Sequence, residues 1–341
     1  MTTGKDKKMT EHNIRLTSAE IGHLWSLYIS DTMSVCTLGY FLKKLEDAEI
    51  LPVLEYALHL SKQHLETVTE IFTHESFPIP IGFTDADVDL DAPRLFSDTF
   101  ILNYLKNMSR IGLAANALAL SMCARSDVRD FYVEALASTS ELYTRSAKVQ
   151  LSKGLYIRPP YISIPKQVSF IEHESFMSGL LGKKRPLTAL EVASLWVNSE
   201  TNTLGRSVAT GFSQVAKSKN VRQYMVRARD ISAKHVEVFH DLLNEEMLPA
   251  PQTWDSDVLD STHAPFSDKL MMYHIAVLSQ AGFGNYGIAA SGAMRRDLGP
   301  MYARLIAEVA TFADDGMELM IENRWVEEPP QAENRNALAG V

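Results

Sequence analysis

The chain has 341 residues, of which 46% are hydrophobic and 22% are charged, and its formal net charge is −9. This length favours two domains, each large enough to bury a core of its own. The acidic balance argues against a general nucleic-acid-binding protein, which normally presents a basic face.

A polar stretch, residues 1–13, comes first and contains no apolar run of the kind found in a secretory signal. We therefore expect a disordered tail at these positions. The two cysteines, Cys36 and Cys123, lie far apart and lack metal-ligand spacing, which is typical of a reducing compartment. The predicted location is cytoplasmic.

Residues 14–158 are predicted to form a four-helix bundle. Thr17 and Glu20 have the spacing of a capping box, which starts the first helix, and Ser97 is the predicted start of the third. The connections within helices 1–2 and 3–4 are short, whereas Ser76–Arg94, rich in Pro, Gly and Asp, separates helices 2 and 3. One long crossover between two helical hairpins is the ferritin-like arrangement.

The rest of the chain repeats this pattern. Matching pairs in the two copies are Leu16-Thr17 and Leu187-Thr188, Phe96-Ser97 and Phe266-Ser267, and Pro159-Pro160 and Pro329-Pro330. We predict a linker without helical periodicity at 159–186, a second four-helix bundle at 187–328 and a disordered tail at 329–341. Asp127 and Asp297 are predicted to cap the fourth helix of each copy. Both bundles should be ferritin-like and should pack about a pseudo-two-fold axis, as the subunits of a homodimer would.

One segment is long enough to span a bilayer, because no residue from Leu270 to Met294 carries a fixed charge. Its counterpart in the first copy carries Lys106 and Arg110. A helix buried in a bundle explains both copies, so we expect no membrane span.

Several strings in the second copy are long and specific: Gly211–Ser218, Pro265–Met272, Asn285–Gly287 and Trp325–Pro330. Through them the chain resembles, over nearly its full length, the bacterial domain-of-unknown-function family 3231, which occurs mainly in spore-forming Gram-positive bacteria and often as tandem copies. Arg324 departs from the glycine-like position that the family has before the Trp. The resemblance implies a ferritin-like fold and a stress- or spore-associated setting, and it implies no activity.

Ferritin-like bundles often bind two metal ions through inward carboxylates and a Glu-x-x-His motif on each of two helices. Glu20 and His23 have this spacing, but they lie in the first turn, where Glu20 is already explained as a cap, and the second copy has Ser194 in place of the His. The di-metal set is incomplete. We therefore expect the protein to bind no cofactor and to have no enzymatic activity.

A smaller polar constellation leaves two readings open. Its members in the second copy are Asn202, His235, His274, Glu308 and Asp315, which would line a pocket for a metal ion or a small ligand. The alternative is that buried polar groups satisfy one another, with Asp31 paired to His64 in the first copy and Asn202 paired to His235 in the second.

The leading functional hypothesis is a non-enzymatic protein that acts through packing or assembly. Its expected partners are further copies of the same chain, in a homo-oligomer. The alternative is a metal- or small-ligand-binding protein with its site inside the second bundle. Neither requires nucleic acid or membrane.

Overall fold

Eight long helices account for most of the residues that the computed structural model describes, which are 14–180 and 184–340. They are α1 (Ser18–Lys44), α2 (Leu51–His74), α3 (Asp98–Met122), α4 (Ser126–Ser152), α5 (Ala189–Val215), α6 (Lys219–Glu245), α7 (Asp268–Gly292) and α8 (Leu298–Glu322). Within residues 14–180 and 184–340 there is no β-strand, and the only β-type pairing is two isolated bridges. The all-helical class and the two tandem halves, α1–α4 and α5–α8, are therefore confirmed.

Four short helical turns lie outside these helices. Three are 3-10 turns, Asp85–Asp87, Glu174–Met177 and Asp255–Asp257, and the fourth is α9 (Arg335–Leu338), which has no buried residue. The last of them falls within the segment predicted as a disordered tail. The predicted tail at 1–13, together with residues 181–183 and 341, lies outside the described residues.

The capping boxes that start α1 and α5 are confirmed. The side chain of Thr17 accepts a hydrogen bond from the amide of Glu20, and the Glu20 carboxylate accepts one from the amide of Thr17. Thr188 and Glu191 form the same two hydrogen bonds at the start of α5. The buried Glu20 carboxylate also accepts hydrogen bonds from the amides of Ala124 and Arg125. The cap of the first helix therefore also anchors the start of the fourth.

The side-chain caps predicted for α4 and α8 are wrong. Neither helix has a side-chain hydrogen bond at its N-cap. Asp127 pairs with Arg125, and Asp297 pairs with Arg295 at 2.8 Å. A nearby guanidinium offers a carboxylate a charge-assisted, two-pronged partner, which is stronger than a neutral amide.

The halves contact each other through their crossovers, and the contacts are reciprocal. The backbone amide of Ser97 donates to the carbonyl of Asp257 at 2.9 Å, and the amide of Ser267 donates to the carbonyl of Asp87, also at 2.9 Å. The two isolated bridges, Val88 with Phe266 and Phe96 with Val258, lie at the same places. Each half therefore supplies the same kind of residue to the other, as in a contact between identical subunits.

The central core belongs to both halves. One buried cluster contains Phe41, Phe100 and Tyr104 from the first half together with Phe212 and Met271 from the second. Two smaller clusters lie within single halves, around Phe72 and around Phe239. The expectation of two independent cores is therefore wrong for the middle of the molecule, because the apolar faces of α3, α5 and α7 meet there.

The linker between the halves is anchored at its C-terminal end. Arg185 donates a hydrogen bond to the carbonyl of Phe176 and pairs with Glu191. Earlier in the linker the apolar side chains are left in solvent: Tyr161 is 85%, Ile164 91%, Val168 89% and Phe170 88% exposed.

None of the helices within 14–180 and 184–340 is both long and apolar enough to cross a bilayer.

Candidate functional site

Three of the predicted site residues come together in the second half, joined by a tyrosine that is not among the predicted residues. Asn202 donates to the hydroxyl of Tyr286 at 2.7 Å, and that hydroxyl lies 2.9 Å from Nδ1 of the buried His235. Since the tyrosine oxygen accepts from Asn202, its own proton is free for Nδ1. His235 Nε2 then carries the ring proton and faces Glu308 Oε2 at 3.3 Å.

This cluster is satisfied without a ligand. Lys234 donates to both carboxylate oxygens of Glu308, at 2.8 and 2.9 Å. Burial lowers the pKa of His235, and the carboxylate of Glu308 opposes that effect only in part. The imidazole is therefore neutral near pH 7 and serves as a hydrogen-bonding link between α6, α7 and α8.

The other two predicted residues lie elsewhere. Asp315 pairs with the exposed Arg227 at the surface. His274 lies at the junction of the halves, where its Nε2 is 3.1 Å from the hydroxyl of Tyr104. The five residues therefore do not form one site, and among the residues described no group of three or more His, Cys, Asp and Glu side chains is placed to hold a metal ion.

In the first half, Asp31 and His64 lie close together. Oδ2 of Asp31 is 3.0 Å from Nδ1 of His64, and this contact joins α1 to α2. The ring of Phe131 contacts the imidazole edge-on. The pair occupies the place that Asn202 and His235 occupy in the second half, where Tyr286 stands between the two side chains.

A small cavity adjoins the His235 cluster. Its volume is about 60 Å³, and its lining includes Asn202, His235 and Tyr286. A cavity of this size holds a few water molecules and no substantial organic ligand.

A much larger cavity lies between the halves. Its volume is about 470 Å³, within the range of roughly 300–1,000 Å³ that is usual for small-molecule sites. Its walls come from α1 of the first half, from α7 and α8 of the second half, and from the segment that follows α8. Most of the lining side chains are apolar, among them Trp25, Ile29, Met272, Ala276, Met320 and Trp325.

The cavity has an apolar mouth and one polar end. Phe283, Met317 and Val326 line it and are 43%, 42% and 37% exposed, so the opening is itself hydrophobic. At the polar end, Lys269 donates to the carbonyl of Gly82 and Glu327 accepts from the amide of Gly82.

The equivalent position on the other side of the molecule is filled by charged side chains. Lys106, Arg110 and Glu200 occupy it, where the counterparts are Ala276, Gln280 and Ile29. Glu200 pairs with Lys106 at 2.5 Å and with Arg110 at 2.9 Å, and the remaining space is about 10 Å³. Burial raises the pKa of Glu200, but the two cations outweigh it and lower the pKa overall. The large cavity therefore arises from side-chain differences between the copies and not from the helix layout.

No residue of this cavity is among the predicted site residues. A signal was nevertheless available in the alignment of the copies, because small residues of the second copy, Ala276 and Ala313, match the bulky Lys106 and Tyr143 of the first. The alignment does not show which side chains face these positions across the cavity, because α1 of the other half supplies one wall.

Comparisons with known proteins give one family. The model of the family described as "Protein of unknown function (DUF3231)" matches residues 5–168 and again residues 175–338. A solved structure that resembles part of the chain is a Bacillus halodurans protein described as a "putative spore coat protein", with 17% identity and a TM-score of 0.41, covering 44% of this chain and 98% of that one. A search of curated proteins found no match.

Proposed function

The chain belongs to the DUF3231 family, in two tandem copies, and from that premise we propose that it is a non-enzymatic binding protein that holds an apolar small molecule between its halves. The observation that carries the proposal is the cavity of about 470 Å³ with apolar walls and an apolar mouth. The largest apolar pocket with a few polar groups is the most frequent location of a ligand site.

The layout proposed for the molecule fits such a role. Each half has two helical hairpins joined by one long crossover, which supports a ferritin-like arrangement. The reciprocal crossover contacts support a pseudo-two-fold relation between the halves. At the junction of two duplicated units, a cavity can be present on one side while side chains fill the equivalent position on the other side.

Binding of N-phenyl-1-naphthylamine, a neutral apolar fluorophore, tests the proposal. We expect saturable fluorescence enhancement at one site per chain. Ala276→Phe, which fills the cavity from α7, should weaken binding at least tenfold. Ala115→Phe places the same side chain at an exposed position of α3 and should bind as the wild type does. Absence of saturable binding by the wild-type protein would overturn the proposal.

A role in assembly is the second candidate, and a separate observation favours it. Tyr161, Ile164, Val168 and Phe170 are each at least 85% exposed in the linker. Contiguous apolar residues in solvent often mark association surfaces. The stress- or spore-associated setting implied by the family resemblance suits this role, in which copies of the chain associate with one another.

Light scattering distinguishes the assembly role. The wild-type chain should form oligomers as its concentration rises, whereas the double variant Ile164→Ser with Phe170→Ser should remain monomeric. A monomeric wild type at every concentration would rule out self-assembly through the linker and leave ligand binding unaffected.

A further inference from the structure

The polar end of the large cavity indicates the class of molecule that the cavity accepts. We propose that the ligand is an amphipathic anion, an apolar chain ending in a carboxylate, with its head group at Lys269 and its chain along the walls between α1, α7 and α8. This inference rests on the proposed binding function and adds the charge and shape of the ligand.

Lys269 has hydrogen-bonding capacity left. Its Nζ donates to the carbonyl of Gly82 at 2.7 Å and lies 4.7 Å from the centre of the Phe83 ring. An ammonium group has three N–H donors, and a carbonyl satisfies only one of them. Of the carboxylates that the structure describes, none forms an ion pair with Lys269 within 4.0 Å. An anionic head group would supply both the missing acceptor and the missing charge.

Glu327, the carboxylate at the same end, already has a hydrogen-bond donor on each of its oxygens. One of its oxygens accepts from the amide of Gly82 at 2.6 Å and the other from the amide of Ile81 at 3.0 Å. Two backbone donors stabilise the charge of this carboxylate without a cation. Both oxygens of Glu327 thus have donors, whereas two of the three Lys269 N–H groups have no acceptor among the residues that the structure describes, which favours an acid over an amine.

The loop that presents these groups is held in place. Gly82 has a φ of +62°, and a side chain there would come within 2.2 Å of Thr32 Oγ1. That same oxygen accepts a hydrogen bond from the amide of Phe83 at 3.1 Å. A left-handed glycine pinned against α1 fixes the carbonyl that orients Lys269.

The walls beyond this end favour a hydrocarbon body. Trp25, Met272, Met320 and Trp325 supply aromatic and flexible apolar surface. Tyr273, which also lines the cavity, is already paired with Ser30 at 3.1 Å. A sugar or a nucleoside would bury several hydroxyl groups against these apolar side chains, which costs free energy.

Displacement of bound N-phenyl-1-naphthylamine by three chains of equal length tests the head group. Dodecanoate should displace the fluorophore at a concentration about tenfold lower than dodecanol, because a charge-assisted hydrogen bond contributes more than a neutral one. Dodecylamine should be the weakest of the three. Equal potency of acid and alcohol, or a preference for the amine, would overturn the inference.

Variants locate the charge. Lys269→Met should remove the tenfold preference for dodecanoate over dodecanol, whereas Lys269→Arg should retain the preference. Lys219→Met makes the same change of net charge at an exposed site and should behave as the wild type. If the fluorophore binds but Lys269→Met keeps the acid preference, this inference fails while the proposed function stands. If the fluorophore never binds, both fail.

Discussion

Single side chains show how the two copies have diverged at matching positions. The Glu191 carboxylate is 2% exposed and accepts from the amides of Thr188, Met294 and Arg295. It also receives two hydrogen bonds from Arg185, at 2.7 and 2.8 Å. The first copy has Ile14 in place of this arginine, and among the residues that the structure describes Glu20 has hydrogen bonds but no ion pair. The same anchor of the fourth helix is therefore more strongly stabilised in the second half.

The first prediction concerns the pH dependence of this anchor. Burial raises the pKa of Glu191, but its hydrogen bonds to Arg185 and to the amides outweigh burial and lower the pKa to about 2. A depressed folded-state pKa stabilises the protein above the ordinary value of 4.5, and that stability is lost as pH falls toward 2. Between pH 6 and pH 3 the wild type should lose about 2 kcal/mol more unfolding free energy than Glu191→Gln.

Urea unfolding of both proteins at each pH measures this difference. Glu20→Gln is the matched control, and its effect should be smaller because the pKa of Glu20 is lowered by hydrogen bonds alone. Parallel pH profiles for the wild type and Glu191→Gln would contradict the prediction.

The second prediction concerns His274 at the junction. Burial lowers its pKa to about 4, and its Nδ1 has no hydrogen-bond partner. The unfolded chain binds a proton at a higher pH than the folded chain does, so stability falls as pH drops from about 6.5 through 4. Between pH 7 and pH 5, His274→Phe should lose about 2 kcal/mol less unfolding free energy than the wild type does. Tyr104→Phe leaves the imidazole in place and should lose as much unfolding free energy as the wild type. Chemical unfolding at the two pH values measures these losses. If His274→Phe loses as much as the wild type, the prediction is wrong.

At the level of elements, the crossovers do more than connect helices. Each contains a 3-10 turn ending in an aspartate that accepts from the N-cap serine of a helix in the other half: Asp257 from Ser97 at 2.5 Å and Asp87 from Ser267 at 2.7 Å. Each serine in turn accepts from an amide in the first turn of its own helix. The start of α3 is thus organised by the second half, and the start of α7 by the first.

The third prediction follows from this exchange. Asp87→Ala and Asp257→Ala should each lower the unfolding free energy by about 1–2 kcal/mol, because each removes the acceptor of a half-buried hydroxyl that caps a helix. Asp87→Ala should cost somewhat more than Asp257→Ala, because the Asp87 carboxylate also accepts a hydrogen bond from the amide of Thr84. Asp91→Ala, an exposed change in the same crossover, should cost much less. Urea titration gives all three values, and an Asp257→Ala as mild as Asp91→Ala would count against the exchange.

At the scale of the whole molecule, the halves depend on each other. The largest buried cluster takes Phe41, Phe100 and Tyr104 from one half and Phe212 and Met271 from the other. Separating the halves would expose these aromatic side chains, and each large apolar side chain contributes roughly 1.5–3 kcal/mol when it is buried. Summed over these residues, that loss is comparable to the whole stability usual for a folded domain.

The fourth prediction is that neither half folds cooperatively by itself. A fragment of residues 1–173 should bind 8-anilinonaphthalene-1-sulfonate strongly and lack a sharp thermal transition by circular dichroism, and mixing it with residues 174–341 should restore that transition. Full-length protein cleaved by protease between Tyr161 and Phe170 is the control, and it should stay folded because the interface and not the linker holds the halves together. A cooperative transition in an isolated half would contradict the shared core.

Local features of the helices were predictable from the amino-acid sequence. Capping boxes at Thr17 and Thr188 need only a residue and its third neighbour, and the N-cap serines 97 and 267 follow the same local rule. Where a carboxylate had a choice of partners, local rules failed: Asp127 pairs with Arg125 instead of capping its helix. An ion pair and a cap have the same short spacing, so spacing alone cannot separate them.

The sequence by itself determined the all-helical class, the tandem halves and the starts of α1, α3, α5 and α7, because hydrophobic periodicity, caps and internal repetition all act over a few residues or recur visibly along the chain. Only the tertiary structure decided that the halves share a core, that Tyr286 stands between Asn202 and His235, and that a cavity opens beside Ala276. These features depend on which side chains meet across a gap between helices far apart in the chain. The volume left between them is a difference between large packed volumes, and a few side-chain differences, such as Glu200 with Lys106 in place of Ile29 with Ala276, decide whether it is filled.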